Sequence, residues 1–309
     1  MTVLVTGGLG YIGSRLIREI PDHPAYSGED IKILDNYRQP RFHSLWDLPS
    51  YADYEMIRGD IRDAEVRANA LDGVDTVFHL AAITNAPETF DIPDKTWEVN
   101  HEAAVNLFTD ARDKGVREFV NAVTCSVYGR TEEEITEEFS CDPESPYGEA
   151  KLAAEQEMFE QYEGKMGLTG LRLGTVYGWT TGMRFDTVVD KFAWLAAMNE
   201  PLTVYEGAED QKRPYLHVQD AVRSLLFAGD ELGDGDAYNV VGQNGRLQDV
   251  VDAIEKHFPE VDIGYTEAEQ LNQLSYVVSD EKIRDEGFET AYTLDQGVKE
   301  LADKFRGLL

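Results

Sequence analysis

The segment that most constrains this chain lies within its first fourteen residues. Val3-Leu4-Val5 is a short apolar run with the pattern of a buried strand, and it opens directly into Thr6-Gly7-Gly8-Leu9-Gly10-Tyr11-Ile12-Gly13-Ser14. Gly7 permits a tight turn out of the strand. Gly10 removes the side chain that would keep a pyrophosphate off the backbone, and Gly13 lets the following helix pack close. The helix starting at Tyr11 and Ile12 then presents free N–H groups and the positive end of its dipole. Asp35 follows 22 positions after Gly13, at the end of a second apolar run, Ile31-Lys32-Ile33-Leu34. A carboxylate there accepts hydrogen bonds from an adenosine ribose and repels a 2′-phosphate, which predicts NAD rather than NADP, with Arg38 and Arg41 nearby as a counterweight.

The same rhythm continues. Apolar runs recur at Tyr54–Ile57, Thr76–Phe78, Glu118–Val120 and Gly170–Leu173, and helical patterns lie between them at Tyr11–Ile20, Ala64–Ala70, Asp94–Lys114 and Tyr147–Met166. Such alternation predicts an α/β fold, a Rossmann-type doubly wound parallel sheet. Asp60 and Ile61 end the third strand and Leu80-Ala81-Ala82 the fourth, all positions that can face the same dinucleotide. After about residue 174 the pattern turns mostly helical, with segments at Arg184–Met198, Arg246–His257, Asp280–Glu286 and Leu294–Phe305. We therefore expect a dinucleotide-binding domain over 1–174, rejoined by the chain around 215–241. A smaller, mostly helical substrate lobe would span 175–309.

Composition narrows the partners. With 59 Asp+Glu against 28 Lys+Arg the formal charge is −31, which argues against nucleic-acid phosphates as ligands. Only 11 of the basic residues are Lys, and a self-repelling surface of this kind predicts adaptation to high salt. No apolar run approaches the roughly 18 residues of a membrane span. The start lacks the basic region and the small-residue cleavage site of a signal peptide, so none is expected. Two cysteines, Cys125 and Cys141, cannot build a disulfide framework, which fits a reducing, cytoplasmic setting. The six histidines show no metal-ligand spacing.

A second constellation carries chemistry. Tyr147 and Lys151 stand four residues apart near a helix start and share one face. A cationic neighbour is expected to lower the phenol's pKa, so that Tyr147 takes a proton from a sugar hydroxyl while Lys151 holds the nicotinamide ribose. Thr124, 23 residues earlier at the end of the fifth strand, can hydrogen-bond the reacting oxygen.

With these residues in view the chain resembles the extended short-chain dehydrogenases/reductases, the nucleotide-sugar epimerases and dehydratases, along nearly its whole length. Its opening is similar to that of the UDP-galactose (UDP-glucose) 4-epimerases in Val3–Gly8, Gly10–Ser14 and Leu34-Asp35-Asn36. Asp60-Ile61, Asn100 in Glu98-Val99-Asn100, Val127-Tyr128-Gly129, Val176-Tyr177-Gly178 and Arg213–Asp220 also follow the family pattern. The resemblance implies cofactor contacts from Asn36 and Asn100 and a substrate-diphosphate contact from Arg213. Thr175 stands where many members have Asn, and Arg184 is a second candidate phosphate contact. It also implies a homodimer through helices 94–114 and 147–166.

The dehydratases carry an acid just after the active-site threonine, and the related decarboxylases usually do. This chain has Cys125 and Ser126 there, so both reactions are demoted. What remains first is NAD-dependent epimerisation of a nucleotide-diphosphate sugar at C4 through a 4-keto sugar. A 4-keto-sugar reductase is the alternative, and a non-catalytic NAD-binding protein is a further one.

Overall fold

The computed structural model describes residues 1–266 and 275–306. All six apolar runs read from the sequence are strands of one parallel sheet: β1 (Thr2–Thr6), β2 (Asp30–Asp35), β3 (Tyr54–Arg58), β4 (Thr76–His79), β5 (Glu118–Thr124) and the strand Gly167–Leu173. A seventh strand, Asp234–Val240, adds to the edge beside Gly167–Leu173, giving the spatial order β3-β2-β1-β4-β5, then 167–173, then 234–240. The order reverses between β1 and β4, so their carboxyl ends diverge and leave a crevice. The central strands β1 and β4 are buried on both faces because helices cover both, whereas edge strand β3 exposes Glu55 and Arg58. Helix α1 (Tyr11–Glu19) and the helix Val218–Glu231 pack on one face around Leu16, Ile17, Val222 and Leu225. On the other, Leu107, Phe108 and Met158 belong to the helices Ala103–Asp113 and Pro146–Glu160.

Helix ends follow local chemistry. Asp63 caps Ala64–Ala70 by accepting from the Glu65 amide at 2.8 Å. The pattern at Tyr147–Met166 overshoots: the helix is Pro146–Glu160, and the chain turns at Gly164 (φ +69°) before the next strand. The segment expected as one helix from Asp94 is Pro93–Trp97, a π-helical turn at Glu98–Glu102, then Ala103–Asp113. The helix expected from Arg184 begins only at Val188, which leaves 184–187 as a loop over the crevice.

Residues 212–217 form the middle strand of a separate three-stranded sheet. That strand, Lys212–His217, lies between Thr175–Tyr177 and Gln243–Arg246. A further core around Phe192, Val250, Ile254, Leu301 and Phe305 packs the helices Val188–Ala197, Leu247–His257 and Leu294–Arg306 against this side.

Candidate active site

A cavity of about 1950 Å³ opens at the carboxyl edge of the sheet. That is roughly twice the upper end of an ordinary small-ligand pocket. Gly7, Gly10, Tyr11, Ile12, Gly13, Asp35, Asn36, Asp60, Ile61, Leu80, Ala81, Ala82, Thr124, Tyr147, Lys151, Thr175, Arg184 and Arg213 all line it.

The glycine turn is closed by sterics. A Cβ at Gly13 would stand 2.4 Å from the Gly7 carbonyl oxygen, and one at Gly7 (φ +70°) would stand 2.8 Å from the Ala81 amide. No side chain caps α1 at Gly10, and its first turn carries no acid. Uncapped amides facing a cavity suit an anion. Asp35 accepts from the Leu9 amide (3.1 Å) and the Tyr37 amide (2.9 Å), so one carboxylate ties the glycine turn to the turn after β2. Burial raises its pKa.

Asn100 alone among the expected site residues does not line the cavity. Its amide is spent on the Ile83 peptide, accepting from the Ile83 amide (2.8 Å) and donating to the Ile83 carbonyl (2.9 Å). It shapes the loop after β4 from behind, and the π-helical turn aims it there. The residue type was legible in the motif, but its direction needed the three-dimensional fold.

The chemical end is built from the end of β5 and the start of the helix Pro146–Glu160. Thr124 ends β5, and its Oγ1 accepts from the Ser126 amide at 3.1 Å. Ser145 caps the helix Pro146–Glu160 by accepting from Gly148 (3.2 Å), with Pro146 in the first turn, and this sets Tyr147 at the helix start. The Tyr147 hydroxyl faces the same cavity as Thr124, whose side chain opposes the rise that burial gives the phenol's pKa. Lys151, 3% exposed, donates from Nζ to the Ala122 carbonyl at 2.8 Å.

The expected lowering of the phenol's pKa by Lys151 is corrected here. Burial pushes the Tyr147 phenol up, the Thr124 side chain and the Arg184 guanidinium pull it back, and Lys151 is not among its perturbers. The ammonium is itself depressed to about 8, because burial penalises its charge, with Glu155 opposing.

Tyr276 is a cavity residue that sequence reasoning missed. It is buried, and burial pushes its phenol up, with Ser126, Arg213 and Tyr147 among the groups that act on it. It arrives from more than a hundred residues downstream with no motif around it, so no local signal marks it. Thr175 and Arg213 come from neighbouring strands of the small sheet, whose register pairs Thr175 with Tyr215. Arg184 forks onto Asp186 at 2.5 and 3.0 Å. Of the two free cysteines, Cys125 lines the cavity beside Thr124 and Cys141 does not, and burial pushes the Cys125 thiol up. Among the described residues, no group of three His, Cys, Asp or Glu side chains could hold a metal, and no helix is long and apolar enough to cross a membrane.

An uncapped helix start beneath a glycine turn, a carboxylate at the end of β2 and a Thr/Tyr/Lys set on one crevice define a dinucleotide-dependent short-chain dehydrogenase/reductase-type enzyme. The chain belongs to the NAD dependent epimerase/dehydratase family, whose model matches residues 3–241. It is 27% identical over 320 residues to the trifunctional UDP-glucose 4,6-dehydratase/UDP-4-keto-6-deoxy-D-glucose 3,5-epimerase/UDP-4-keto-L-rhamnose-reductase RHM1 of Arabidopsis thaliana. That match covers 97% of this chain but 46% of the plant protein, so the chain spans about half the length of that relative. It is 25% identical over 315 residues to the low-salt glycan biosynthesis protein Agl12 of Haloferax volcanii, with 99% of each chain covered. The crystal structure of Thermus thermophilus UDP-glucose 4-epimerase in complex with NAD superposes with a TM-score of 0.86 at 27% identity, covering 100% of both chains. The cofactor is NAD, and the uncapped amides and Asp35 described above fit its diphosphate and adenosine ribose.

Proposed function

We propose that this enzyme epimerises a nucleotide-diphosphate sugar at C4. One observation carries the choice within the family. Every carboxylate lining the cavity among the described residues is already engaged: Asp35 by amides, Asp60 by Arg62, Glu88 by Arg38, Glu144 by Arg130 and Asp186 by Arg184. The chemical end offers hydroxyls instead, from Thr124, Ser126, Tyr147 and Tyr276. Water elimination needs a carboxyl acid beside the C5–C6 bond, whereas inversion at C4 needs only one proton acceptor.

Tyr147 takes the proton of the C4 hydroxyl while Thr124 holds that oxygen in line. Bound NAD supplies reversible two-electron oxidation at the same carbon. Lys151 supports the nicotinamide ribose. After the 4-keto sugar turns in the cavity, Tyr147 returns its proton to the opposite configuration. Arg213 and Arg184 hold the substrate diphosphate, a task suited to guanidinium forks, and Thr175 lies alongside. A 4-keto-sugar reductase would use the same residues but consume reduced cofactor. The chain is further proposed to work in the cytoplasm, in salt-rich surroundings, as a homodimer through helices 94–114 and 147–166. A light-scattering mass of one subunit in molar salt would overturn the dimer.

The test is a screen of nucleotide sugars without added cofactor, read by NMR for product stereochemistry. Interconversion of C4 epimers supports the reading. Turnover only with added NADH or NADPH, or formation of a 4-keto-6-deoxy product, overturns it.

A further inference from the structure

Lys151 carries its ammonium in a nearly closed place, with the Ala122 carbonyl accepting from it at 2.8 Å. One turn further along the same helix face stands Glu155, which is 1% exposed. Arg172 meets it from the strand Gly167–Leu173. Its Nη2 donates to Glu155 Oε2 at 2.6 Å, and its Nε donates to both carboxylate oxygens at 3.1 Å. Neither Glu155 nor Arg172 lines the cavity, so the pair lies behind the site rather than in it.

Its neighbours hold the pair still. Arg172 Nη1 donates to the Tyr128 hydroxyl at 2.7 Å, that hydroxyl donates to Asn239 Oδ1 at 2.7 Å, and the guanidinium lies over the Tyr128 ring, 5.1 Å from its centroid. Gly170 leaves the space that the carboxylate occupies: a Cβ there would stand 3.0 Å from Glu155 Oε1. Arg172 is also the register partner of Val123, next to Thr124, and its carbonyl accepts from the Cys125 thiol at 3.2 Å. One network thus ties the strand that ends in Thr124 to the helix that carries Tyr147 and Lys151. Stability alone does not account for it, because apolar residues of similar volume are commonly as stabilising as a buried ion pair, or more so.

What the pair supplies is a negative charge beside an ammonium. Glu155 opposes the penalty that burial puts on the Lys151 charge, and Lys151 in turn acts on Glu155. Burial also drives the Glu155 carboxyl toward its neutral form, and Arg172 opposes that. Two other titratable groups reach this place from neighbouring elements. His79 on β4 is kept neutral by burial, and Asp236 acts on Glu155 from the edge strand Asp234–Val240.

We propose that Glu155 is a positioning residue of the reaction: held by Arg172 and Tyr128, its carboxylate is the counter-charge that keeps the Lys151 side chain an ammonium. The inference rests on the reading above in which Lys151 supports the nicotinamide ribose.

The test titrates the full chain, labelled with ¹³C-lysine, by NMR from pH ~5 to 10, with the Lys151 ε-carbon signal assigned by its loss in Lys151→Met. The variants are Arg172→Gln, which leaves Glu155 to take up a proton, the charge-free Glu155→Gln/Arg172→Gln, and the conservative Arg172→Lys. In the first two the Lys151 titration moves down by about one pH unit or more, and to the same value in both. In Arg172→Lys both charges remain although the fork is lost, and the titration stays within about 0.3 unit of the parent. Turnover of the first two variants then falls with pH: kcat is within about twofold of the parent at pH 6 and roughly tenfold lower at pH 9, where the amine has lost its proton. A loss of the same size at both pH values overturns the proposal. So does a Lys151 titration that rises, or stays within about 0.3 unit of the parent, in the two charge-removing variants. Should the double variant fail to fold, Arg172→Gln alone must still show the downward shift. The titration needs no turnover, so a chain that shows the shift but forms no C4 epimers overturns the proposed reaction and leaves the role of Glu155 standing, which separates the two failures.

Discussion

The Tyr11 hydroxyl stands 2.8 Å from Asp190 Oδ2 and donates to the Gly178 carbonyl at 2.7 Å, so the first residue of α1 is fastened to a wholly buried carboxyl from the helix over the crevice. Asp190 Oδ1 also accepts from the Gly178 amide at 2.9 Å. A hydroxyl has one proton, so while Tyr11 donates to Gly178 a protonated Asp190 can donate to Tyr11.

Burial pushes the Asp190 carboxyl up to about 7. Between pH ~4 and 7 the folded chain therefore holds a proton that the unfolded chain has released. The stability this supplies is complete below pH ~4 and is lost as pH rises through 7. Asp190→Asn removes that dependence. Urea titrations from pH 4 to 8 will show the parent losing on the order of 2–4 kcal/mol relative to the variant. Parallel curves would exclude this role.

Arg184 is the cation that pulls the Tyr147 phenol down. Turnover that uses the ionised phenol rises with pH and levels off above its pKa. Arg184→Gln will move that rising limb to higher pH, measured as kcat/KM between pH 6 and 10. Tyr147→Phe will lower kcat by about 10²–10⁴-fold across the whole range, with an unchanged circular dichroism spectrum. A Phe variant as fast as the parent would remove the catalytic assignment.

Lys151 holds its charge in a buried place, which costs stability at neutral pH. Its pKa near 8 lies below the ordinary lysine value, so the folded chain releases a proton that the unfolded chain keeps between pH 8 and about 10.5. Stability from this group accordingly rises with pH over that window. Lys151→Met will raise stability at pH 7 by roughly 1–3 kcal/mol while abolishing turnover. Thermal melts beside an activity assay check both halves.

Gly13→Ala forces a methyl to within 2.4 Å of the Gly7 carbonyl. The glycine turn must shift to admit it. We expect loss of NAD binding by calorimetry and a stability loss above about 2 kcal/mol.

Self-repulsion of a chain at −31 weakens as salt screens it. The melting temperature will rise from low to molar KCl. A flat series would place the charge outside any role in salt adaptation.

The sheet and most of the site were legible in the sequence because their signals are local. A glycine turn needs its residues adjacent, a helix face repeats every three to four residues, and a buried parallel strand is a continuous apolar run. So the strands around Leu4, Ile33 and Val77 could be read directly, as could Asp35, Thr124, Tyr147 and Lys151. Which groups act on one another was decided by the tertiary structure. Lys151 shares a helix face with Tyr147, yet its ammonium turns to Ala122. The charge felt by the phenol comes from Arg184, 37 residues further along. Asn100 points at a peptide behind the cavity, while Tyr276 enters the site from a distant loop. Electrostatic and hydrogen-bond partners depend on distance in space and on burial, and neither is written into the spacing of residues along a chain.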